Sequence, residues 1–179
     1  MDKVPPQNIE AERAVIGSIL IDDNVMLNIH HILKPEFFYD PRHGLLYEHS
    51  EKLYRANKPI DVLTLTEELK KSKKVRQSGG GAYLSEIVAS VPTAANVEQY
   101  ANIVKEKAVR RNLVSFSGTL GELARDEEKN LDEIVDEVEK NLVGVAQDNA
   151  KSDFATSAEL LEAQMARADE YAKNPNALR

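Results

Sequence analysis

The chain has 179 residues, 42% of them hydrophobic, which is enough apolar material for one sizeable domain with a buried core. It contains no cysteine, so a disulfide framework and cysteine-based zinc sites are excluded, and the composition suits a reducing cytoplasm. The net charge of -7 argues against broad nucleic-acid binding, because a surface that binds phosphates is normally basic. We find neither a signal peptide nor an apolar run long enough for a membrane helix, and we expect a cytoplasmic protein.

The first predicted helix begins at Ile9, because the side chain of Asn8 can accept a hydrogen bond from a backbone N–H of the first turn. Gly17 interrupts the apolar pattern of this helix, at a cost of about 1 kcal/mol relative to alanine. Either the helix tolerates this cost or another helix crosses closely at Gly17, and we favour the close crossing. A second, shorter helix is predicted at residues 24–33 and ends before Pro35.

A third helix is predicted from Pro41 to about Ala56, because an aspartate followed by proline is a typical helix start. The residues expected on its buried face are Leu45, Leu46, His49, Leu53 and Tyr54. Asp61 and Thr64 are alternative N-caps of the fourth helix, since Thr64 is followed three residues later by a glutamate.

A polar, basic and glycine-rich stretch at 72–81 predicts a loop, and a helix is expected from Ala82 to Val91. The run Gly79-Gly80-Gly81 superficially resembles a phosphate-binding loop, but no buried strand precedes it. We favour a solvated loop that leads into a helix, with a weak phosphate or nucleic-acid contact as the alternative.

The most regular pattern lies at 94–147 and predicts an antiparallel helical hairpin. Its first helix is expected at about 94–124, and Asn130 would cap the second helix after a polar turn. The apolar stripe is wider than one helix–helix seam requires. The residues left over are Val109, Val114, Leu120 and Val145. Such surplus apolar surface predicts packing against another chain.

The fold class predicted is all-α, with a helical bundle at 1–93, the hairpin at 94–147 and a separate linker helix. A flexible linker is expected at 148–156 and the linker helix at 157–174, where Thr156 and Glu159 form a capping box. The apolar face of the linker helix comprises Leu160, Leu161, Met165 and Ala168.

No motif in the chain predicts catalysis, a cofactor site or a metal site. The sequence has neither a Gly-x-x-x-x-Gly-Lys-Ser/Thr phosphate loop nor a Gly-x-Ser-x-Gly nucleophile motif. The four histidines have poor spacing for metal ligands, and a hydrogen-bonded structural role near Asp40 is expected for His43. Residues 122–148 carry ten acidic and three basic side chains, which favours solubility or a basic protein partner.

An ordered series of segments closely resembles the N-terminal part of bacterial replicative DNA helicases of the DnaB type. The first runs from Val4-Pro5-Pro6-Gln7-Asn8-Ile9-Glu10-Ala11-Glu12 to Ile16-Gly17-Ser18-Ile19-Leu20. Further segments are Phe37-Phe38-Tyr39, Arg42-His43, Pro59-Ile60-Asp61, Gly79-Gly80, Ala82-Tyr83-Leu84, Val91-Pro92-Thr93-Ala94-Ala95-Asn96-Val97, Tyr100-Ala101 and Glu106-Lys107. The resemblance covers residues 1–147, and 155–179 resembles the linker helix that follows in that family.

The resemblance implies an N-terminal collar of a hexameric ring, in which hairpins pair collar domains into dimers and the collar receives the primase. The linker helix would dock on a neighbouring subunit. Residues 175–179 would begin the connection to a RecA-like ATPase domain, which in the intact helicase binds ATP, Mg²⁺ and DNA. Because that domain is not in the 179 residues, no helicase activity is carried over to this chain alone. A helicase loader is a further candidate partner.

By this resemblance, specific residues are expected at each contact. The dimer interface would include Leu113, Phe116, Leu120, Ile134 and Val138. The primase-binding residues would be Glu10, Tyr83, Val114 and Leu120. The linker-helix face would contribute the four apolar residues named above. The alternatives are a primase C-terminal domain, which has a similar helical bundle and hairpin, and a stand-alone structural helical protein.

Overall fold

The computed structural model describes residues 4–91 and 93–148, and every regular element within these ranges is helical, which confirms the all-α fold class. The helices are α1 (Ile9–Ile21), α2 (Met26–Ile29), α3 (Pro41–Arg55), α4 (Val62–Lys71), α5 (Gly80–Ser90), α6 (Val97–Leu123) and α7 (131–148). Two short 3₁₀ turns lie at Asp23–Val25 and Pro35–Phe37. The predicted linker helix, with Leu160, Leu161, Met165 and Ala168, lies outside the described residues.

Side-chain caps set the beginnings of the early helices as the sequence predicts. The Asn8 Oδ1 atom accepts a hydrogen bond from the Ala11 N–H at 2.9 Å, so α1 begins at Ile9. The Asp40 carboxylate accepts from the Arg42 N–H at 2.8 Å and starts α3 at Pro41. These bonds satisfy backbone donors that have no partner within the helix.

The structure decides between the two candidate caps of α4. Asp61 is the N-cap, and its Oδ1 accepts from the Thr64 N–H at 2.8 Å. In return the Thr64 hydroxyl accepts from the Asp61 N–H at 2.9 Å, so the two residues form a reciprocal capping box. The helix predicted at 24–33 is shorter than expected, because its first turn is the 3₁₀ turn Asp23–Val25 and α2 ends at Ile29.

The hydrophobic core forms around α1, which packs against α3, α5 and α6. Within α1, Val15, Ile16 and Ile19 are fully buried. On α3 the buried face is rotated relative to the expectation: Tyr47 is fully buried, whereas Leu45 and Tyr54 only pack against the margin of the core. The ring of Tyr47 packs against the ring of Phe38, and the two ring centroids are 5.2 Å apart.

Gly17 marks a close approach between α1 and the end of α5, which confirms the predicted crossing. A Cβ atom at this position would lie 2.6 Å from Cγ2 of Val91 and 3.3 Å from Cγ2 of Ile87. No side chain fits at the first distance without displacing Val91, whose β-branched side chain has few alternative rotamers. Gly17 therefore lowers the helix propensity of α1 but permits close contact between the two helices.

Helix α6 belongs to the bundle in its first half and leaves it in its second half. Its 27 residues correspond to a rod about 40 Å long. The inward residues of the first half are Val97, Ala101, Val104 and Ala108, all buried in the common core. Beyond Arg111 most of the helix surface is exposed, so the core of the bundle extends into the first half of α6.

Helix α7 returns from the tip of α6 toward the bundle. The Asn130 side chain accepts a hydrogen bond from the Asp132 N–H at 3.2 Å and caps the start of α7, as predicted. At the other end, Asp148 forms a 2.6 Å ion pair with Lys34 of the bundle. The hairpin is therefore antiparallel. Helical structure continues through residue 148, where the flexible linker was expected to begin, and the remaining linker residues lie outside the described ranges.

The packing at Gly17 predicts that Gly17→Ala destabilises the fold although alanine is the better helix former. We expect the free energy of unfolding to fall by about 1–3 kcal/mol, which is the usual cost of overpacking a tight core. Gly118 is the matched control, because a Cβ there meets nothing within 4 Å. Gly118→Ala should raise the free energy of unfolding by up to about 1 kcal/mol. Urea denaturation of both variants distinguishes them, and two changes of the same sign would contradict the prediction.

Candidate functional site

The histidines do not come together as metal ligands in the part of the chain that the structure describes. Within residues 4–91 and 93–148, no three His, Asp or Glu side chains are arranged to hold a metal ion. None of the helices in these ranges has the length and apolar character required to cross a membrane. His49 is buried beside core residues, and its Nδ1 atom lies 4.0 Å from the nearest Glu68 oxygen. Burial lowers the pKa of His49 from its usual value.

A buried polar cluster lies where α1, α3 and α5 meet. Glu12 is 2% exposed, and His43 is fully buried. One Glu12 oxygen accepts from the Tyr39 N–H at 2.6 Å. The other accepts from the Asp40 N–H at 3.2 Å and from His43 Nδ1 at 2.8 Å. Three donors on a single carboxyl suit the ionised form, which only accepts hydrogen bonds.

This arrangement determines the tautomer of His43. Because Glu12 accepts, Nδ1 of His43 carries the hydrogen, and in the neutral ring Nε2 is then an acceptor. The Tyr83 hydroxyl lies 2.8 Å from Nε2, and it donates to that atom when the ring is neutral. The predicted hydrogen-bonded role of His43 is confirmed, but its partner Glu12 was missed. The one available signal was that Glu12 lies at helical spacing from Val15 and Ile16 on the apolar face of α1.

Tyr83 connects this cluster to the surface of the bundle. The Arg42 guanidinium lies over its ring, 4.2 Å from the centroid, and Arg13 lies 6.0 Å from the same centroid. Arg42 pairs with Asp40 at 2.7 Å, and this hydrogen-bonded contact lowers the pKa of the Asp40 carboxyl. Burial raises the pKa of the Tyr83 hydroxyl, which therefore stays protonated near neutral pH.

The glycine-rich loop before α5 shapes the position of Tyr83. Gly79 has a φ of 89°, and a Cβ atom there would lie 2.8 Å from Cδ1 of Tyr83. The ring thus packs directly over the backbone of Gly79, which only glycine permits in this conformation. Helix α5 begins at Gly80, two residues before the predicted start. The packing supports the interpretation of the loop as structural.

The predicted primase-binding residues fall into two regions of the surface. Glu10 is exposed on α1, three residues before Arg13, so it lies on the same face of α1 as the arginine beside Tyr83. Val114 and Leu120 lie on the projecting half of α6, where they are 59% and 37% exposed. Two of the four residues therefore lie on the bundle and two on the projecting half of α6.

The hairpin exposes an apolar surface on both of its helices. Leu113 and Leu120, two of the five predicted dimer residues, are exposed, whereas Phe116, Ile134 and Val138 are half-buried. We define the hairpin face as the exposed apolar residues Leu113, Val114, Leu120, Leu131, Val135, Leu142 and Val143. Exposed apolar residues in this number on one hairpin are typical of a protein interface. Of the four residues predicted to be left over by the hairpin seam, Val114 and Leu120 are exposed, whereas Val109 and Val145 are half-buried.

Arg111 holds the root of the hairpin against the bundle. Its guanidinium donates to the Pro6 carbonyl at 2.8 Å and to the Phe37 carbonyl at 2.6 Å. It also lies 5.6 Å from the ring centroid of Tyr39. Burial lowers the pKa of Arg111, and the nearby Glu12 carboxylate opposes that shift. No sequence pattern marks Arg111, since it resembles any other basic residue of an amphipathic helix.

Comparison with known proteins identifies the family of this fold. The family model described as DnaB-like helicase N terminal domain matches residues 4–106. The replicative DNA helicase DnaB of Geobacillus stearothermophilus is 35% identical over 160 residues, which are 89% of this chain and 35% of that protein. The chain therefore spans about a third of the length of this curated relative.

Solved structures show the same architecture. The crystal structure of the N-terminal domain of DnaB helicase from Mycobacterium tuberculosis matches with a TM-score of 0.75 and 33% identity, covering 79% of this chain and 99% of that one. The N-terminal domain of the Helicobacter pylori DnaB helicase, described with its interactions with primase, matches with a TM-score of 0.56 and 29% identity. That match covers 64% of this chain and 89% of the other.

The burial of His49 predicts a stability that depends on pH. The unfolded histidine binds a proton below its ordinary pKa of 6.5, whereas the folded state resists protonation because burial lowers the pKa. Unfolding then takes up a proton, so the free energy of unfolding falls as the pH falls below that value. His49→Gln should reduce this slope between about pH 5 and 7, measured by urea denaturation at each pH. An unchanged slope would contradict the assignment.

Proposed function

We propose a function from the fact that this chain belongs to the DnaB-like helicase N-terminal domain family: it forms the collar of a hexameric replicative DNA helicase and recruits the primase. The observation that carries this proposal is the hairpin face, an exposed apolar surface on a fold of that family. In the proposal, two collar domains pair through their hairpin faces, and three such pairs form the ring.

The spacing of the apolar residues on the hairpin face supports pairing of two hairpins. Leu113 and Leu120 are seven residues apart and lie on one side of α6, and Val135 and Leu142 repeat that spacing on α7. Two hairpins with such stripes can form a four-helix arrangement with shallow crossing angles. The other three residues assigned to the dimer interface, Phe116, Ile134 and Val138, are half-buried on the same two helices.

The charges along the hairpin favour an antiparallel pair. Its outer part is acidic, with nine acidic and two basic side chains at 122–139, whereas the root carries Lys107, Arg110 and Arg111 on α6. Parallel pairing would bring two acidic tips together and generate repulsion. Antiparallel pairing places each tip beside the basic root of the partner, so electrostatic complementarity selects this orientation.

Primase recruitment is supported by the surface around Tyr83. The related domain from Helicobacter pylori is described with its interactions with primase. In this chain, a half-buried tyrosine beneath Arg42, with Arg13 6.0 Å from its ring centroid, combines aromatic area with charged neighbours, a composition common at binding hot spots. Val114 and Leu120 would belong to a second contact region, which pairing of hairpins brings into a composite surface.

The remaining functions belong to the intact protein in this proposal. A RecA-like domain would bind ATP and Mg²⁺, hydrolyse ATP and move along DNA in the cytoplasm, while the collar keeps the motor subunits in a ring. The linker helix, through Leu160, Leu161, Met165 and Ala168, would dock in an apolar groove of the neighbouring subunit. A helicase loader would act on the assembled ring.

The hairpin face predicts a dimer whose population depends on concentration, which sedimentation equilibrium can measure. Leu120→Asp should weaken dimerisation at least about tenfold, equivalent to 1.4 kcal/mol, because a charge would enter the apolar interface. Leu63 is the matched control, since it is 71% exposed on α4, away from the hairpin. Leu63→Asp should dimerise as the unmodified chain does. A chain that is only monomeric at tens of micromolar would refute the proposed pairing.

Primase binding can be tested with isothermal titration calorimetry of the chain against purified primase. We expect Glu10→Ala and Tyr83→Ala each to weaken binding about tenfold, as for residues at the centre of an interface. Tyr54→Ala is the control, because Tyr54 is also half-buried but lies about 16 Å along α3 from His43. Equal affinities for all variants would exclude this surface. Weak binding to the separate domain is expected, since a ring gains avidity from several sites.

A further inference from the structure

A continuous series of polar contacts crosses the bundle from the Tyr83 surface to the root of the hairpin. We name it the relay and define it by Tyr83, His43, Glu12, Tyr39 and Arg111. It starts with the Tyr83 hydroxyl on His43 Nε2 and continues with His43 Nδ1 on Glu12, both at 2.8 Å. The relay thus connects residues on α5, α3 and α1 within two hydrogen bonds.

The second half of the relay leads from Glu12 to the hairpin. Glu12 accepts from the Tyr39 N–H at 2.6 Å, which fixes the backbone of the segment between the Pro35–Phe37 turn and α3. Arg111 of α6 binds the same segment, because it donates a hydrogen bond to the Phe37 carbonyl and lies near the Tyr39 ring. The segment is therefore held from one side by the buried carboxylate and from the other side by the helix that becomes the hairpin.

The buried carboxylate makes these contacts interdependent. Glu12 is 2% exposed, so water cannot replace a partner that moves away. An ionised group in such surroundings tolerates the loss of a donor poorly, and hydrogen-bonded networks of this kind change as a unit. If His43 shifts, the backbone N–H groups of Tyr39 and Asp40 must change position to keep their hydrogen bonds to Glu12. The segment bound by Arg111 then moves with them.

The hydrogen bond between Tyr83 and His43 is the contact of the relay that a partner can disturb. Its hydroxyl lies 2.8 Å from Nε2 of the fully buried His43. A partner that engages the hydroxyl or displaces the ring disrupts this hydrogen bond. The ring itself is half-buried beneath Arg42, so a partner has access to it from the surface.

We propose that Glu12 and His43 are positioning residues that couple the Tyr83 surface to the angle of the hairpin. Engagement of Tyr83 by a protein partner then biases the setting of the dimerisation hairpin, and assembly of the collar biases the affinity of the Tyr83 surface in return, because coupling between two sites is reciprocal. The identity of the partner as primase rests on the proposed function. The coupling itself is a property of this chain.

The experiment measures the hairpin angle directly, without a partner. The chain has no cysteine, so Leu63→Cys on α4 and Glu127→Cys near the hairpin tip provide two unique sites for nitroxide labels. Electron–electron double resonance then gives the distance between the bundle and the tip, with labelled chain diluted in excess unlabelled chain to remove distances between protomers. A change of about 10° at Arg111 moves a tip some 18 Å away by about 3 Å, given the rise of an α-helix.

Two variants and one matched control decide the outcome. Tyr83→Phe and Glu12→Gln should each shift the mean distance by about 3 Å or broaden its distribution, as expected for a lever of this length. Tyr47→Phe removes the same atom as Tyr83→Phe from a buried hydroxyl that has no hydrogen-bond partner in the described structure, and it should leave the distribution unchanged. If Glu12→Gln fails to fold, Tyr83→Phe alone decides. Unchanged distances with only a lower melting temperature would overturn the coupling.

Adding primase separates this proposal from the proposed function. If primase binds at Tyr83, it should shift the distance in the unmodified chain, and the shift should be lost in Glu12→Gln. Absence of primase binding would refute the recruitment function, while a shift in Tyr83→Phe alone would still support the relay. Binding of primase without any change of distance in the unmodified chain would overturn the relay.

Discussion

The burial of one carboxylate, Glu12, is the constraint on which the arrangement of this bundle depends. A charge removed from water needs compensating donors, and α1 alone cannot supply them. The donors come from the backbone before α3 and from His43, so the position of α3 relative to α1 follows from satisfying one side chain. His43 in turn orients Tyr83, which links α5 to the same cluster. A hydrophobic residue at position 12 could fill the space but would form none of these directional hydrogen bonds.

Helix α6 connects the bundle to the hairpin, because its first half belongs to one and its second half to the other. Its first half is fixed by burial of Val97, Ala101, Val104 and Ala108, and its second half has no core to pack against except α7. Arg111 lies at the transition and binds two carbonyl groups of the bundle. Arg111 therefore attaches the projecting half, with its exposed apolar face, to the bundle. The projecting half thus presents apolar surface without using residues of the bundle's core.

Much of the secondary structure follows from local chemistry that is visible in the sequence. Asn8, Asp40 and Asn130 cap the helices that they were expected to cap, because a side-chain oxygen next to unpaired N–H groups is a local feature. The same reasoning left Asp61 and Thr64 as alternatives, since both can accept, and only the reciprocal geometry made Asp61 the cap. The family resemblance, carried by residues such as Val4-Pro5-Pro6 and Val91-Pro92-Thr93, is likewise local and is confirmed by the family match over 4–106.

The sequence by itself determined the all-α class, the hairpin, the tight position at Gly17 and the family, because each depends on periodicity, capping or an ordered motif. Only the tertiary structure decided which polar residues are buried and what they contact. Glu12 looked like one more acidic residue in a first turn, and Arg111 like one more basic residue on a helix. Their roles arise from partners 27 to 105 positions away in the chain. Contacts at that separation depend on how the helices pack, and no local pattern encodes them.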